Sequence, residues 1–331
     1  METLLLTDEE VKGLLLMREV MDAVETAFKE KSLKRVQMPA KIYLFYGRYN
    51  GDLRAMPSYL ERLDVSAVKI VNSHPDNRVR HNLPTVMAII VLIDPKNGFP
   101  LAIMGGKTIT DVRTGAAGGV AAKYLARKDS RVVAFVGAGA QAKTQLMALL
   151  EVYGKLEEVR VWSRSMETRQ AFMVEVERAY GHLCKFVSFE NVEEAVKGAD
   201  IIVTTTPSRK PLVMDDMVSQ GTHLNCIGAD APGKEELDPA ILKRAKIVVD
   251  DWEQAVHSGE INVPLSQGII TEENVYAEIG EVVAGLKPGR ENPNEITIFT
   301  STGLAVQDAV TAKIAYDKAV KNGVGRFLEM V

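Results

Sequence analysis

From Arg131 onward, short apolar runs alternate with stretches of helical period. The runs are Val132–Val136, Val159–Trp162, Lys185–Phe189, Ile201–Thr205, His223–Ile227, Ile247–Val249 and Ile296–Thr300. Continuous apolar strands separated by helices predict a parallel sheet covered on both faces. The half before it has a different texture. A helix is expected over about 8–31, with Val20, Val24, Ala27 and Phe28 on one face. Strands are expected around 41–46, 52–56, 66–71, 85–93 and 100–104, with hairpin signals at Asn50-Gly51 and Asn97-Gly98. The pattern reads as antiparallel. A helix runs from near Thr110 to Leu125, and a long amphipathic helix from about Gly303 to Asn322 is expected to pack back on the first half. The fold class is α/β: a doubly wound Rossmann domain over 119–304 plus an α/β domain over 1–118 with 305–331.

Composition narrows the function classes. The 331 residues are 46% apolar and 25% charged, enough for two domains with cores of their own. A net charge of −4 gives no electrostatic case for nucleic acid or an anionic membrane. The two cysteines, Cys184 and Cys226, read as small core residues in a reducing, cytoplasmic protein. Asp8, Glu9 and Glu10 follow the first leucines too closely for a secretory signal, and Thr7 with Glu10 reads as a capping box. No apolar run reaches the roughly 18–20 residues that span a bilayer. The five histidines show no ligand spacing, so no metal is expected.

Gly137-Ala138-Gly139-Ala140-Gln141-Ala142 matches G-x-G-x-x-A between an apolar strand and a helix. In that context Gly137 permits the tight turn, Gly139 lets backbone N–H groups reach a pyrophosphate, and Ala142 lets helix pack closely on strand. The helix N-terminus adds partial positive charge. The next strand ends Trp162-Ser163-Arg164, without the acid that selects NAD. Arg164 alone favours NADP, although an arginine can also stack on adenine. Thr204-Thr205-Thr206 and Cys226-Ile227-Gly228-Ala229-Asp230 close later strands, at the carboxyl ends where open sheets bind ligands.

Several spaced motifs together give a family likeness over nearly the whole chain. They are Met56-Pro57, Val68 to Pro75, Leu83-Pro84-Thr85, Asp111 to Ala117, the glycine loop, Val161 to Arg164, Gly228 to Lys234 and Ser301-Thr302-Gly303. The chain resembles the ornithine cyclodeaminase/μ-crystallin family, and within it the archaeal alanine dehydrogenases most. The resemblance implies a homodimer whose first domains pair through their sheets, and a substrate cleft between that domain and the Rossmann unit. It implies that Lys41, Lys69 and Arg113 are carboxylate-binding and catalytic cations, and that Asp230 is the acid/base or amine-orienting group. Thr302 joins the substrate contacts. Thr85, Arg113, Ala140, Gln141, Thr205, Lys234 and Ser301 become cofactor contacts, beside Gly137, Gly139, Ser163, Arg164, Ile227 and Gly228. One departure stands out: the cyclodeaminases carry an acid two positions before Met-Pro, where this chain has Arg54. A cation there should repel the distal amine of ornithine.

The resemblance implies oxidation of L-alanine to pyruvate and ammonia. Arg113 can anchor the carboxylate, and Lys69 or Asp230 can take the ammonium proton before hydride leaves Cα. The archaeal relatives tip the cofactor towards NAD, with NADP possible. Blander readings exist: Lys69, Arg113 and Lys41 as surface charges, and Arg54 as a partner of Asp52 alone. Alternative activities are ornithine cyclodeamination, cyclic imine or imino-acid reduction, and an NADPH-dependent binding role like that of μ-crystallin.

Overall fold

The fold begins with the capping box that the Thr7–Glu10 spacing predicts. Glu10 Oε2 accepts from Thr7 N at 2.7 Å, and Thr7 Oγ1 accepts from Glu10 N at 3.3 Å. The computed structural model describes residues 2–330. Strand β1 (Thr3–Leu6) leads to helices α1 (Asp8–Leu14) and α2 (Met17–Ser32). Where periodicity predicts one helix over 8–31, Leu15 and Leu16 are extended and split it. The apolar period Val11, Leu14, Met17, Val20, Val24 runs straight across the joint, so burial patterning cannot reveal it.

Strands β2 (Val36–Gln37), β3 (Ile42–Tyr46), β4 (Gly51–Leu60) and β5 (Val65–Ser73) follow, then α3 (Asn77–His81), β6 (Val86–Ile93), β7 (Pro100–Gly105) and α4 (Lys107–Leu125). The next stretch holds β8 (Val132–Val136), α5 (Ala140–Tyr153), β9 (Glu158–Trp162), α6 (Met166–Tyr180), β10 (Lys185–Phe189), α7 (Val192–Val196), β11 (Ile201–Thr204) and β12 (Arg209–Val213). After these come β13 (His223–Cys226), β14 (Glu235–Leu237), α8 (Pro239–Leu242), β15 (Ala245–Val249), α9 (Trp252–Ala255), α10 (Asn262–Ser266), β16 (Val275–Glu278), α11 (Ile279–Val283) and β17 (Ile296–Thr300). Helix α12 (Ala305–Asn322) and strand β18 (Arg326–Leu328) end the described chain. Contacts divide it into two units: residues up to Arg113 together with those from Leu304, and Thr114–Gly303.

In the first unit the sheet order is β18-β1-β7-β6-β5-β4-β2, with β3 also on β4. The β4–β7 meander is antiparallel, as expected. Strand β1 departs from that reading by lying parallel to β7, which its long helical connection allows. One face carries the row Met56, Lys69, Ile90, Met104 and is covered: α12 packs on β4, β5 and β6, and against α2. The opposite face carries the row Ile42, Ala55, Ile70, Ile89. There Ile42 is 59% and Ile89 46% exposed.

The second unit is the doubly wound half. Its eight-stranded sheet runs β10-β9-β8-β11-β13-β17-β15-β16, all parallel, with an apolar cluster on each face. The strand order reverses between β8 and β11, the switch point of such sheets. Sequence periodicity misses β16 and the small parallel pair β12–β14, because Arg209-Lys210-Pro211 and Glu235-Glu236 are too polar to stand out. Helix α4 crosses α5 with Gly115 at the contact, where a Cβ would overlap the Thr144 carbonyl. Gly115→Ala gains about 1 kcal/mol of helix propensity but meets an overpacking cost of about 1–3 kcal/mol. A lower midpoint of urea unfolding is expected; an unchanged or higher midpoint would mean that α5 yields freely at this contact.

Candidate active site

The middle of β5 puts Lys69 on the covered face, where it is 1% exposed. An ammonium there needs a partner, since desolvation without one is costly. Asp308 of α12 supplies it, with Oδ2 at 2.6 Å from Lys69 Nζ. Asp308 Oδ1 accepts from Arg113 Nε at 3.0 Å, and Gln307 Oε1 accepts from Arg113 Nη1 at 2.9 Å. A single carboxylate therefore faces two buried cations. Burial, and then the Arg113 charge, pull the Lys69 amine down to about 7; Lys41 adds to this and Asp308 opposes it. Lys41 itself is half-buried just before β3. The surface readings of Lys69 and Arg113 are excluded, since both side chains are buried.

Arg54 stands otherwise. Its Nε and Nη2 donate to Asp52 Oδ1 and Oδ2 at 3.1 and 3.0 Å, and its guanidinium lies 5.5 Å from the Tyr43 ring centroid. Residues two apart on a strand share a face, so the pair forms along β4 itself. Of the two readings of Arg54, the pairing with Asp52 is present, and it balances the guanidinium charge. Thr302, expected at the substrate, is buried with its hydroxyl donating to Asp250 Oδ1 at 3.0 Å. Asp250 Oδ2 also accepts from Thr302 N and Gly303 N at 2.6 and 2.8 Å, and lies 3.5 Å from Ser301 Oγ. Asp250 thereby fixes the Ser301-Thr302-Gly303 turn after β17.

In the second unit the glycine loop lies between β8 and α5. Gly137 has φ +111°, and a Cβ on it would meet Thr205 Oγ1 at 2.6 Å. Thr205 Oγ1 is itself buried without a hydrogen-bond partner. Gly139 and Ala140 are exposed, and a Cβ on Gly139 would meet nothing within 4 Å. Packing inside the chain therefore does not demand a glycine at 139, whereas a ligand lying against the loop would. Gln141 is half-buried on the first turn of α5. Ser163 and Arg164 follow β9, the serine half-buried and the arginine exposed. Ile227 is buried and Gly228 lies beside the Thr206 backbone. Asp230 Oδ1 accepts from Lys234 Nζ at 2.6 Å, with the carboxylate 45% exposed. In the first unit the Thr85 carbonyl accepts from His74 N at 2.8 Å, just before β6. The orphaned Thr205 hydroxyl, the open Gly139 and the α5 N-terminus fit the pyrophosphate end of a dinucleotide. Among the described residues no cluster of acids, histidines and cysteines could hold a metal ion, and no helix is long and apolar enough to cross a membrane.

Residues 1–323 match the profile of the ornithine cyclodeaminase/mu-crystallin family. The chain belongs to this family. It is 52% identical over 326 residues to the alanine dehydrogenase of Archaeoglobus fulgidus, covering 98% of each chain. The solved structure of an archaeal alanine dehydrogenase dimer with bound NAD is 51% identical and superposes with a TM-score of 0.95 over 100% of both chains. That of Thermococcus litoralis Δ1-pyrroline-2-carboxylate reductase, in complex with NADH and L-proline, is 41% identical with a TM-score of 0.94, covering 98% of this chain and 99% of that one. Family membership thus accounts for both units and for the Rossmann sheet.

Sequence reasoning found the cations and missed two carboxylates: Asp308, which pairs with Lys69 and Arg113, and Asp250, which holds the Ser301-Thr302-Gly303 turn. A signal existed for Asp308: an acid inside Ala305-Val306-Gln307-Asp308-Ala309-Val310 must be paired once that helix is buried. A Lys69 amine depressed from 10.5 to about 7 is neutral in half the folded molecules near neutrality. Because its folded pKa lies below its unfolded one, burial of Lys69 costs stability in full below about pH 7, and the cost fades as pH rises towards 10.5. Lysine-selective isotope labelling and NMR titration should show one lysine titrating near 7. Asp308→Asn should move it lower, and Arg113→Gln higher. A Lys69 that titrates with the surface lysines would refute the assignment.

Proposed function

We propose that this chain is an NAD-dependent alanine dehydrogenase, converting L-alanine and water to pyruvate and ammonia, reversibly. The observation that carries the proposal is the buried Lys69–Asp308–Arg113 cluster, in a chain 52% identical to an enzyme of that activity. When bound, NAD supplies the two-electron acceptor for the hydride that leaves Cα. The protein's own groups do the rest. Asp308 and Gln307 hold two of the Arg113 donors, and the remaining donors can take the substrate carboxylate. Lys41 adds positive charge to the same field.

Lys69 serves as the proton acceptor for the substrate ammonium. Its neutral form is populated near pH 7, and the nitrogen lone pair it leaves on the substrate drives imine formation. Asp308 keeps the same amine able to return the proton in the amination direction. Asp230, ion-paired with Lys234, serves the cofactor in the second unit. In the second unit Gly137, Gly139, Ala140 and Gln141 hold the pyrophosphate. Thr205, Ile227 and Gly228 line the strand ends, Ser163 and Arg164 meet the adenosine end, and Asp250 sets Ser301. NAD rather than NADP follows the NAD and NADH named with the two structural relatives.

The uncovered row Ile42, Ala55, Ile70, Ile89 supports a homodimer: an apolar sheet face of this kind needs a cover, and the 51% identical relative is a dimer. The balanced Arg54–Asp52 pair lends support to a second reading, reduction of a cyclic imino acid, because it adds no net charge against such a ring.

Initial rates of nicotinamide reduction with L-alanine test the activity. Expected are reduction with NAD in preference to NADP, and a kcat/KM that falls below about pH 7 as Lys69 gains its proton. Arg113→Ala should raise KM about 10- to 100-fold, as loss of a charge-assisted carboxylate pair does. No turnover of alanine or of pyruvate with ammonia, together with reduction of Δ1-pyrroline-2-carboxylate, would replace the alanine reading with the second. For assembly, Ile70→Lys with Ile89→Lys should give a monomer by light scattering; a dimer that survives both would rule out this face.

A further inference from the structure

Beneath the strand ends of the second unit lie two glutamates that the proposed chemistry leaves without a role. Glu236 and Glu260 are both 0% exposed. Glu236 Oε1 accepts from Thr206 N and Thr206 Oγ1 at 2.6 and 2.7 Å, and Oε2 accepts from Gly228 N at 3.0 Å. One side chain therefore ties together the turn after β11 and the turn after β13. Glu260 backs it up. Its Oε1 accepts from the backbone N–H groups of Glu236 and Leu237 at 2.8 and 2.7 Å, pinning β14, while its own N–H donates to Thr300 Oγ1 at 2.9 Å. Glu260 Oε2 is buried with no hydrogen-bond partner.

Two carboxylates this deeply buried cannot both be ionised, because desolvation and mutual repulsion act together. The donor count decides between them. Both Glu236 oxygens are already accepting, so a proton on either would set O–H against N–H or O–H. Glu260 Oε2 accepts nothing, so a proton there displaces no hydrogen bond. We infer that Glu236 and Glu260 share a single proton, held on Glu260 Oε2, and that the Glu236 carboxylate is the positioning residue for the Thr205-Thr206 and Ile227-Gly228 turns of the cofactor site. Burial raises both carboxyls. It raises Glu260 well up, with the Glu236 charge adding, whereas the Thr206 and Gly228 hydrogen bonds pull Glu236 back. Glycine at 228 belongs to the same arrangement, since a Cβ there would meet Glu236 Oε2 at 2.6 Å.

The two isosteric substitutions should differ sharply. Gln at 260 mimics a neutral acid, keeping the Oε1 acceptor and placing NH2 where the O–H stood. Gln at 236 must aim an NH2 at Thr206 or Gly228 donors. This inference rests on the cofactor reading of those turns, so the first readout is one that does not. Infrared spectra of the apoprotein at neutral pH should show a protonated-carboxyl C=O band that is lost in Glu260→Gln and kept in Glu236→Gln. The second readout is NADH affinity by fluorescence titration: Glu236→Gln should weaken it more than tenfold and Glu260→Gln less than threefold. No such band in the native protein, or loss of the band in Glu236→Gln instead, would overturn the proton assignment. Equal affinities in the two variants would overturn the positioning role. A native protein that binds no NADH would instead refute the cofactor reading, leaving the infrared result to judge the pair. Should Glu236→Gln fail to fold, the native and Glu260→Gln spectra still decide the proton's place.

Discussion

A buried ammonium and a buried guanidinium share one carboxylate, and the first unit is organised around that fact. Lys69 occupies the middle of the sheet's covered face, where an apolar residue would be easier to fold. Asp308 makes the position tenable, and it arrives on the helix that covers the sheet. The packing of α12 and the electrostatics of Lys69 are thus one problem. Alanine and valine side chains on α12 bring it close, and the acid between them meets both cations. With one negative charge against two positive ones, the cluster remains short of an anion, which is the condition for binding a carboxylate from outside.

The second unit solves a different problem, exposing backbone donors without losing the core beneath them. Its central strands β8 and β11 are almost wholly apolar, and the loops at their ends carry much of the polar work. Small residues at Gly137 and Gly228 let neighbouring turns approach within contact distance. Buried acids then hold those turns by their N–H groups: Glu236 at Thr206 and Gly228, Asp250 at Thr302 and Gly303. Carboxylates suit this task because each accepts several donors at once and is strengthened by burial when fully satisfied.

Much of this could be read in the sequence, but unevenly. Runs such as Val132–Val136 and Ile201–Thr204 announce parallel strands, since nothing polar interrupts them. Helix α12 and the glycine loop are equally plain. Strands β12, β14 and β16 are short and partly polar, so their pairing rests on tertiary context. Lys69 and Arg113 were found through family motifs, while Asp308 was not: an acid in a sequence does not display which distant cation it will meet. The same blindness applied to Asp250 and Glu236, which reach Thr302 and Thr206 across more than twenty residues of chain. Arg54 shows the converse. Its neutraliser stands two residues away and reads as a partner across the turn, whereas the pair lies along one face of β4.

Helix α12 is made after the whole second unit, and this has a consequence for biosynthesis. The first unit comprises residues up to Arg113 and those from Leu304, with the second unit encoded between them. On the ribosome, the N-terminal sheet must emerge with Lys69 and Arg113 lacking their acid and with its inner face bare. The Rossmann half can complete its core before α12 is made, but the sheet cannot. A nascent chain therefore carries an uncovered, cation-bearing apolar surface until α12 is released. A truncation before Leu304 would remove the counter-charge and the cover together, making the α12 segment a checkpoint for the first hundred residues.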